Sequence, residues 1–312
     1  MITKMHIDSL AASKFDLLKS NEFFKNHMEK VHKEIRGELE SLAGLAAPEV
    51  CLDRCHFFNL KGTTPDDYKE RILELSDNKF LLAGIRFLGL DITKPFVSVQ
   101  TNFKDLNENI VSEIFDLVWK NFSMFKPQSI HLTLPSDFKI SIPTMQIDRY
   151  TVVGVVDDII EKELTSISDS IELVALTNLE FYDEYIKEYE IFHKRNPALS
   201  SVVKAESIDD FKEAIQDELL YKIIINGSTA GLIAGLARDY YGLKGVNILE
   251  EILFDTFKGK GFGAYIQKAF TLKLKNRYFV LWGTISDLNL PSLKTALKNG
   301  RRVTEIEYIF KC

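Results

Sequence analysis

Residues Phe254–Phe270, "FDTFKGKGFGAYIQKAF", set three glycines and two lysines between an apolar run and a run with helical spacing. Gly259, Gly261 and Gly263 tolerate positive φ and close backbone approach, so successive amides can converge on one point. A helix opening at Phe262 or Gly263 adds unpaired N–H groups and the positive end of its dipole. Lys258 and Lys260 bring full charges to the same place. Together these are what a pyrophosphate needs. Two familiar nucleotide loops do not fit. A Walker-type loop requires a lysine and a hydroxyl after its last glycine, where this chain has Ala264 and Tyr265. A dinucleotide fingerprint requires wider glycine spacing and an early place in a βαβ unit.

Before this stretch, "IELVALT" reads as a strand, "NLEFYDEYIKEYEIFHKRN" as an amphipathic helix ended by Pro197, and "SIDDFKEAIQDE" as a helix capped by Ser207. "LYKIIING" and "STAGLIAGLARDYY" flank a hairpin turn at Gly227–Ser228, and "GVNILEEILF" is a third strand leading into the glycine turn. After the turn come a helix, the strand "YFVLWGTIS", the helix "NLPSLKTALKN" and a closing strand "RRVTEIEYIF".

The first half echoes this order. The strands "LLAGIRFL" and "PFVSVQ" lead through a turn without glycine into "NENIVSEIFDLVWKNF", a helix with Asn107 as cap, and then the strand "IHLTLP". Upstream, "FDLLKSNEFFKNHMEKVHKEIRGELESLAGL" and "TTPDDYKERILELSDN" both carry helix signals, the second opened by Thr64 before Pro65. The charged, hydroxyl-rich stretch 157–170 marks a boundary, dividing the chain into 1–160 and 161–312.

The second half resembles the GNAT superfamily of acyl-CoA-dependent N-acetyltransferases. That family's loop, Arg or Gln, two residues, Gly, one residue, Gly or Ala, is met by Lys258, Gly261 and Gly263, with lysine in the first position. Leu253 and Phe257 occupy the family's valine and tyrosine positions before the loop. Asn289, Ser292 and Gly300 match its later Asn-x-x-Ser/Ala helix opening and closing glycine. The resemblance spans roughly residues 170–312. It implies an α+β fold with a mixed, mostly antiparallel sheet flanked by helices, arranged as two tandem GNAT-like domains of which the first is a degenerate or accessory copy.

The resemblance also implies that acetyl-CoA is the co-substrate and a primary amine the acceptor, which attacks the thioester directly with no metal. The amides of Lys258, Gly259, Lys260, Gly261, Phe262, Gly263 and Ala264 would hold the pyrophosphate. Backbone groups of Leu253 and Phe254 would pair with the pantetheine arm where two strands splay, and Asn289 and Ser292 would touch its far side. An ammonium must lose a proton before attack, which gives Glu250 or Glu251 a role; the two lie on opposite faces of one strand by its two-residue period. The family's frequent hydroxyl donor, a tyrosine, is replaced by Ala296, leaving Tyr240, Tyr241, Tyr265, Tyr308 or water. The alternative is a non-catalytic acyl-CoA-binding or interaction protein on the same fold.

Composition narrows the classes. With a net charge of −6, the chain offers no general support for nucleic-acid or membrane-surface binding. No apolar run approaches a membrane span, the N-terminus lacks a signal core, and three cysteines make no disulfide framework, so the expected location is cytoplasmic. "CLDRCH" lacks zinc-knuckle spacing, and Cys51 and Cys55 read as thiols in or near a strand. Cys312 has no evident partner. His131 and His193 read as packed or surface residues, and Trp119 and Trp282 as core. The closing strand can pair within the chain or across a homodimer.

Overall fold

The computed structural model describes residues 2–138, 142–165, 167–200 and 202–311; Cys312 lies outside them. In chain order the helices are α1 (Lys4–Leu18), α2 (Met28–Gly44), α3 (Pro48–Phe58), α4 (Glu108–Phe122), α5 (Val156–Glu161), α6 (Tyr182–Arg195), α7 (Ile208–Gln216), α8 (Gly263–Leu274) and α9 (Leu290–Asn299). The strands of the first half are β1 (Arg71–Glu74), β2 (Phe80–Phe87), β3 (Pro95–Thr101), β4 (Ser129–Pro135) and β5 (Met145–Val155). Those of the second are β6 (Ile171–Ala175), β7 (Leu220–Ile225), β8 (Ser228–Ala237), β9 (Gly245–Leu253), β10 (Val280–Ser286) and β11 (Arg302–Lys311). The class is α+β, with mixed, mostly antiparallel sheet flanked by helices.

The chain divides into two compact units, Met1–Asp148 with Thr304–Cys312, and Arg149–Val303. The boundary expected between 160 and 161 falls inside α5, and the C-terminal strand belongs to the first unit. In that unit the strand order is β1-β2-β3-β4-β11. β1, β2 and β3 are antiparallel neighbours, β3 and β4 are parallel over Phe96–Ser98 only, and β11 closes antiparallel on β4. In the second unit the order is β5-β10-β9-β8-β7-β6. Here β6 to β9 form an antiparallel meander, β9 and β10 are parallel over Gly245–Asn247 only, and β5 closes antiparallel on β10. The repeated element order is therefore realised as two units of like pairing, each ending on a strand from beyond its own meander.

Local chemistry explains most boundaries. Asn107 caps α4 by accepting from the Ile110 amide at 3.0 Å, and Ser207 caps α7 through the Asp210 amide at 3.1 Å. Asn226 and Gly227 both take positive φ (49° and 78°), the geometry of a tight hairpin between β7 and β8. Three expectations are corrected. "TTPDDYKERILELSDN" is a short 3-10 turn followed by strand β1, because Arg71–Glu74 pairs with Phe80–Ala83 of β2. Long-range pairing overrides its helical spacing. Cys51 and Cys55 lie in helix α3, opened by Pro48, and only Cys51 is buried. Trp119 is 45% exposed, stacked on Phe115 along the outer side of α4.

The second unit packs helices on both faces of its sheet. α8 buries Ile266, Phe270 and Leu274 completely against Ile223, Ile233, Val246 and Leu281, with Val156 and Ile159 of α5 completing the cluster. Each such side chain contributes roughly 1.5–3 kcal/mol. On the other face Tyr185 and Tyr189 of α6 and Phe211 of α7 meet Leu220, Leu232, Ala234 and Ile252.

Candidate active site

The strand before the glycine turn carries an irregularity that decides the site. Ala234 of β8 pairs with Glu250, but the next residue, Gly235, pairs with Ile248, so Leu249 is an extra residue in β9. Such a bulge breaks the alternation of side chains. Val246 and Ile248 pack toward α8, then Leu249 and Ile252 toward α6 and α7. Glu250 is thereby turned into the α6 face and Glu251 into the α8 face.

The parallel contact between β9 and β10 ends at Asn247 and Trp282, although both strands continue, so the two separate toward the glycine turn. The amide of Phe254 is taken by the carbonyl of Ala230 at 2.7 Å, which removes it from the expected pantetheine contacts. Strand amides alternate in direction, so that of Leu253 faces the opening instead.

Beyond the opening, Gly259 (φ 75°) and Gly261 (φ 82°) hold left-handed backbone with no neighbour where a Cβ would stand, so glycine serves the turn and not the packing. Gly263 differs: a Cβ there would meet Thr295 of α9 at 2.8 Å and a Glu251 carboxylate oxygen at 3.3 Å. No side chain among the described residues caps α8. Among the described residues, the amides of Gly259, Lys260, Gly261, Phe262, Gly263 and Ala264 donate to no protein acceptor.

Lys258 turns inward. Its Nζ is buried without a hydrogen-bond partner among the described residues and stands 5.0 Å over the Phe192 ring. Burial lowers its pKa, against the nearby Glu188 carboxylate, and Arg195 adds to the lowering. Lys260 is exposed, 5.7 Å over the Phe257 ring. Asn289 caps α9, its side-chain oxygen accepting from the Ser292 amide at 3.4 Å, and both residues are half-buried.

The two glutamates have different settings. Glu250 is 7% exposed and accepts from the hydroxyls of Tyr185 at 2.6 Å and Tyr189 at 2.7 Å. Burial pushes its pKa up while the two hydroxyls oppose the rise. Both tyrosines are held protonated by burial and by that carboxylate. The amide of Glu206 donates to the Tyr185 oxygen at 2.7 Å, and the Glu206 carboxyl is raised to about 7 by burial and by Glu250.

Glu251 accepts from Gln267 of α8, whose carbonyl accepts from Arg301 at 2.7 Å. Burial raises Glu251 to about 7 against the pull of Gln267 and Arg301, and burial lowers Arg301 to about 10. Glu251 is therefore tied into a polar network under the start of α8.

Sequence reasoning did not single out Tyr185, Tyr189, Glu206, Gln267 or Arg301. The four-residue spacing of Tyr185 and Tyr189 puts their hydroxyls on one helix face, which was the available signal. Ala296, at the expected hydroxyl position, is fully buried. Among the alternatives, Tyr265 donates to the Thr165 carbonyl, Tyr240 and Tyr241 are buried, and Tyr308 belongs to the other unit.

No protein-family model and no curated protein matches the chain. Solved structures similar to it include a GNAT-family acetyltransferase from Colwellia psychrerythraea, 11% identical over 77% of this chain and 84% of that one, with a TM-score of 0.47. A GCN5-related N-acetyltransferase from Sphaerobacter thermophilus is 10% identical over 85% and 93%, at 0.44. A functionally unknown conserved protein from Staphylococcus epidermidis is 12% identical over 80% and 98%, at 0.43. Likenesses of this strength assign neither family nor activity to the chain.

Proposed function

We propose that the protein is an N-acyltransferase that moves an acetyl group from acetyl-CoA to a primary amine, with its site in the unit Arg149–Val303. The observation that carries this reading is the opening between β9 and β10 beside a turn whose amides, from Gly259 to Ala264, have no acceptor among the described residues. A pyrophosphate satisfies those amides, and the α8 dipole favours its charge. The unpaired Lys258 ammonium adds a counter-charge, and the Leu253 edge of β9 offers the pantetheine arm a strand to pair with.

In this reading Glu250 is the base. The substrate ammonium gives up its proton to that carboxylate, directly or through water. The neutral nitrogen attacks the thioester carbon, the C–N bond forms, the C–S bond breaks, and the CoA thiolate leaves with the bonding electron pair. Burial strengthens Glu250 as a base, and the two tyrosine hydroxyls hold it in place. Glu251, anchored by Gln267 and Arg301, supports the loop from below and is a positioning residue.

Calorimetric titration with acetyl-CoA tests the binding half, with Gly261→Glu as the control that brings bulk and negative charge into the turn. Micromolar binding abolished by the control is the expected result; a folded protein that does not bind rejects the reading. Glu250→Gln is expected to keep acetyl-CoA affinity and lower turnover by about 100-fold or more, the usual size of a general-base contribution. The enclosure of Glu250 favours one second reading, a non-catalytic acyl-CoA-binding protein. That reading gains if acetyl-CoA binds and no amine in a broad panel is acetylated.

A further inference from the structure

The unit containing Met1–Asp148 holds a separate cavity of about 530 Å³, within the usual size range of small-molecule sites. It lies at the end of β2 where the chain turns into β3. Its walls are aromatic: Phe57 and Phe58 of α3, Phe87 of β2 and Phe96 of β3. Phe58 packs on Phe87 with ring centres 4.3 Å apart and meets Phe57 edge-on at 4.9 Å. The rim is unusually apolar for a surface, with Phe57 68% and Leu90 66% exposed.

Two guanidiniums, Arg54 and Arg86, line the same cavity. They share one buried carboxylate, Glu70, which Arg86 reaches at 2.6 Å and Arg54 at 3.6 Å. Arg54 is committed to the protein: its terminal nitrogens donate to the carbonyls of Tyr68 and Ile85, each at 2.6 Å. Arg86 uses one terminal nitrogen, which serves both Glu70 and the Ile85 carbonyl. Among the described residues, its Nε and other terminal nitrogen donate to no protein acceptor. The Arg86 side chain is 22% exposed, so these donors are reachable. Holding the first nitrogen on Glu70 fixes the orientation of the remaining pair, which matches the two oxygens of a carboxylate.

The buried Glu70 and Asp53, exposed at the rim, together offset the formal charge of the two guanidiniums. A highly charged anion therefore gains little here from bulk electrostatics. A single carboxylate on an apolar body gains from both the directed donors and the aromatic walls. We propose that this cavity is a binding site for an apolar monocarboxylate, with Arg86 receiving the carboxylate and the four phenylalanines enclosing the body.

The test is calorimetry on the full chain with 4-phenylbutyrate and octanoate, each beside its primary amide. Each acid that binds is expected to do so at least about tenfold more tightly than its amide, the difference a charge-assisted hydrogen-bond pair supplies. Tighter binding of the aryl acid assigns the site to aromatic acids, and of the alkyl acid to acyl chains; either supports the proposal. Arg86→Gln is expected to erase the acid-over-amide preference. Because Arg86 also holds Glu70, that variant can lose its fold, so Phe57→Ser on the exposed rim serves as the second variant. It is expected to weaken both acids at least about fivefold while leaving acetyl-CoA titration unchanged. Equal affinity for acid and amide, binding insensitive to Phe57→Ser, or no binding of either acid to the folded chain overturns the proposal.

Discussion

Replacing Glu206 by glutamine gives a sharp test of the half-buried acidic cluster beside Glu250. The Glu206 carboxyl is raised from the ordinary 4.5 to about 7, first by burial, then by the Glu250 and Asp210 charges. The folded protein thus keeps a proton up to about pH 7 that the unfolded chain releases near pH 4.5. Between these values the unfolded state binds fewer protons, so stability falls as pH rises. At about 1.4 kcal/mol per pH unit, this one group removes up to about 3 kcal/mol across the window. Glutamine has no charge to bury. Glu206→Gln should therefore match the parent near pH 4.5 and exceed it by up to about 3 kcal/mol at pH 8.

Urea unfolding at a series of pH values measures this directly. The chain has two tryptophans, Trp119 in the first unit and Trp282 in the second. A Trp119→Phe background leaves Trp282 as the reporter for the unit that holds Glu206. Relief of the repulsion on Glu250 acts in the same direction, so it cannot mask the effect. Stability curves of parent and variant that run parallel from pH 4.5 to 8 refute the reasoning.

Tyr189→Phe removes one of the two hydroxyls on Glu250 and is expected to cost roughly 1.5–3 kcal/mol in urea unfolding at pH 8, where the carboxylate is most in need of donors. Gly231→Ala places a Cβ 2.0 Å from the Ile252 carbonyl oxygen at φ 152°, so β8 and β9 must separate locally; thermal melting should fall by several degrees, and an unchanged melt rejects the close approach. Ala296→Tyr is expected to destabilise by roughly 1–3 kcal/mol and to restore no hydroxyl function, because that position is filled core. Glu250→Gln and Gly261→Glu separate turnover from acetyl-CoA binding, read by steady-state kinetics and calorimetry.

Much of the secondary structure was legible in the chain because its signals are local. Asn107 and Ser207 cap their own helices, Asn226-Gly227 carries its own turn geometry, and the apolar positions of α8 fall on one face by spacing alone. Residues 71–74 show the limit. Their helical spacing yields to pairing with β2, a contact made only once the strand is in place. Cys51 likewise sits in a helix opened by Pro48, although its surroundings read as a strand.

The site divides along the same line. Sequence alone marked the glycine turn, since residues without a Cβ take the positive φ seen at Gly259 and Gly261 without steric cost, and it determined that two acids precede the turn. Tertiary structure decided what those acids face. Period-two alternation separates Glu250 from Glu251 but does not say which points where; the extra residue at Leu249 sends Glu250 to the tyrosines of α6 and Glu251 to Arg301. Only the sheet determined where β9 and β10 part, and only the fold brought residues 304–311 back to the first unit. Caps and turns depend on neighbours a few residues away, whereas bulges, strand separation and buried charge networks depend on partners far along the chain.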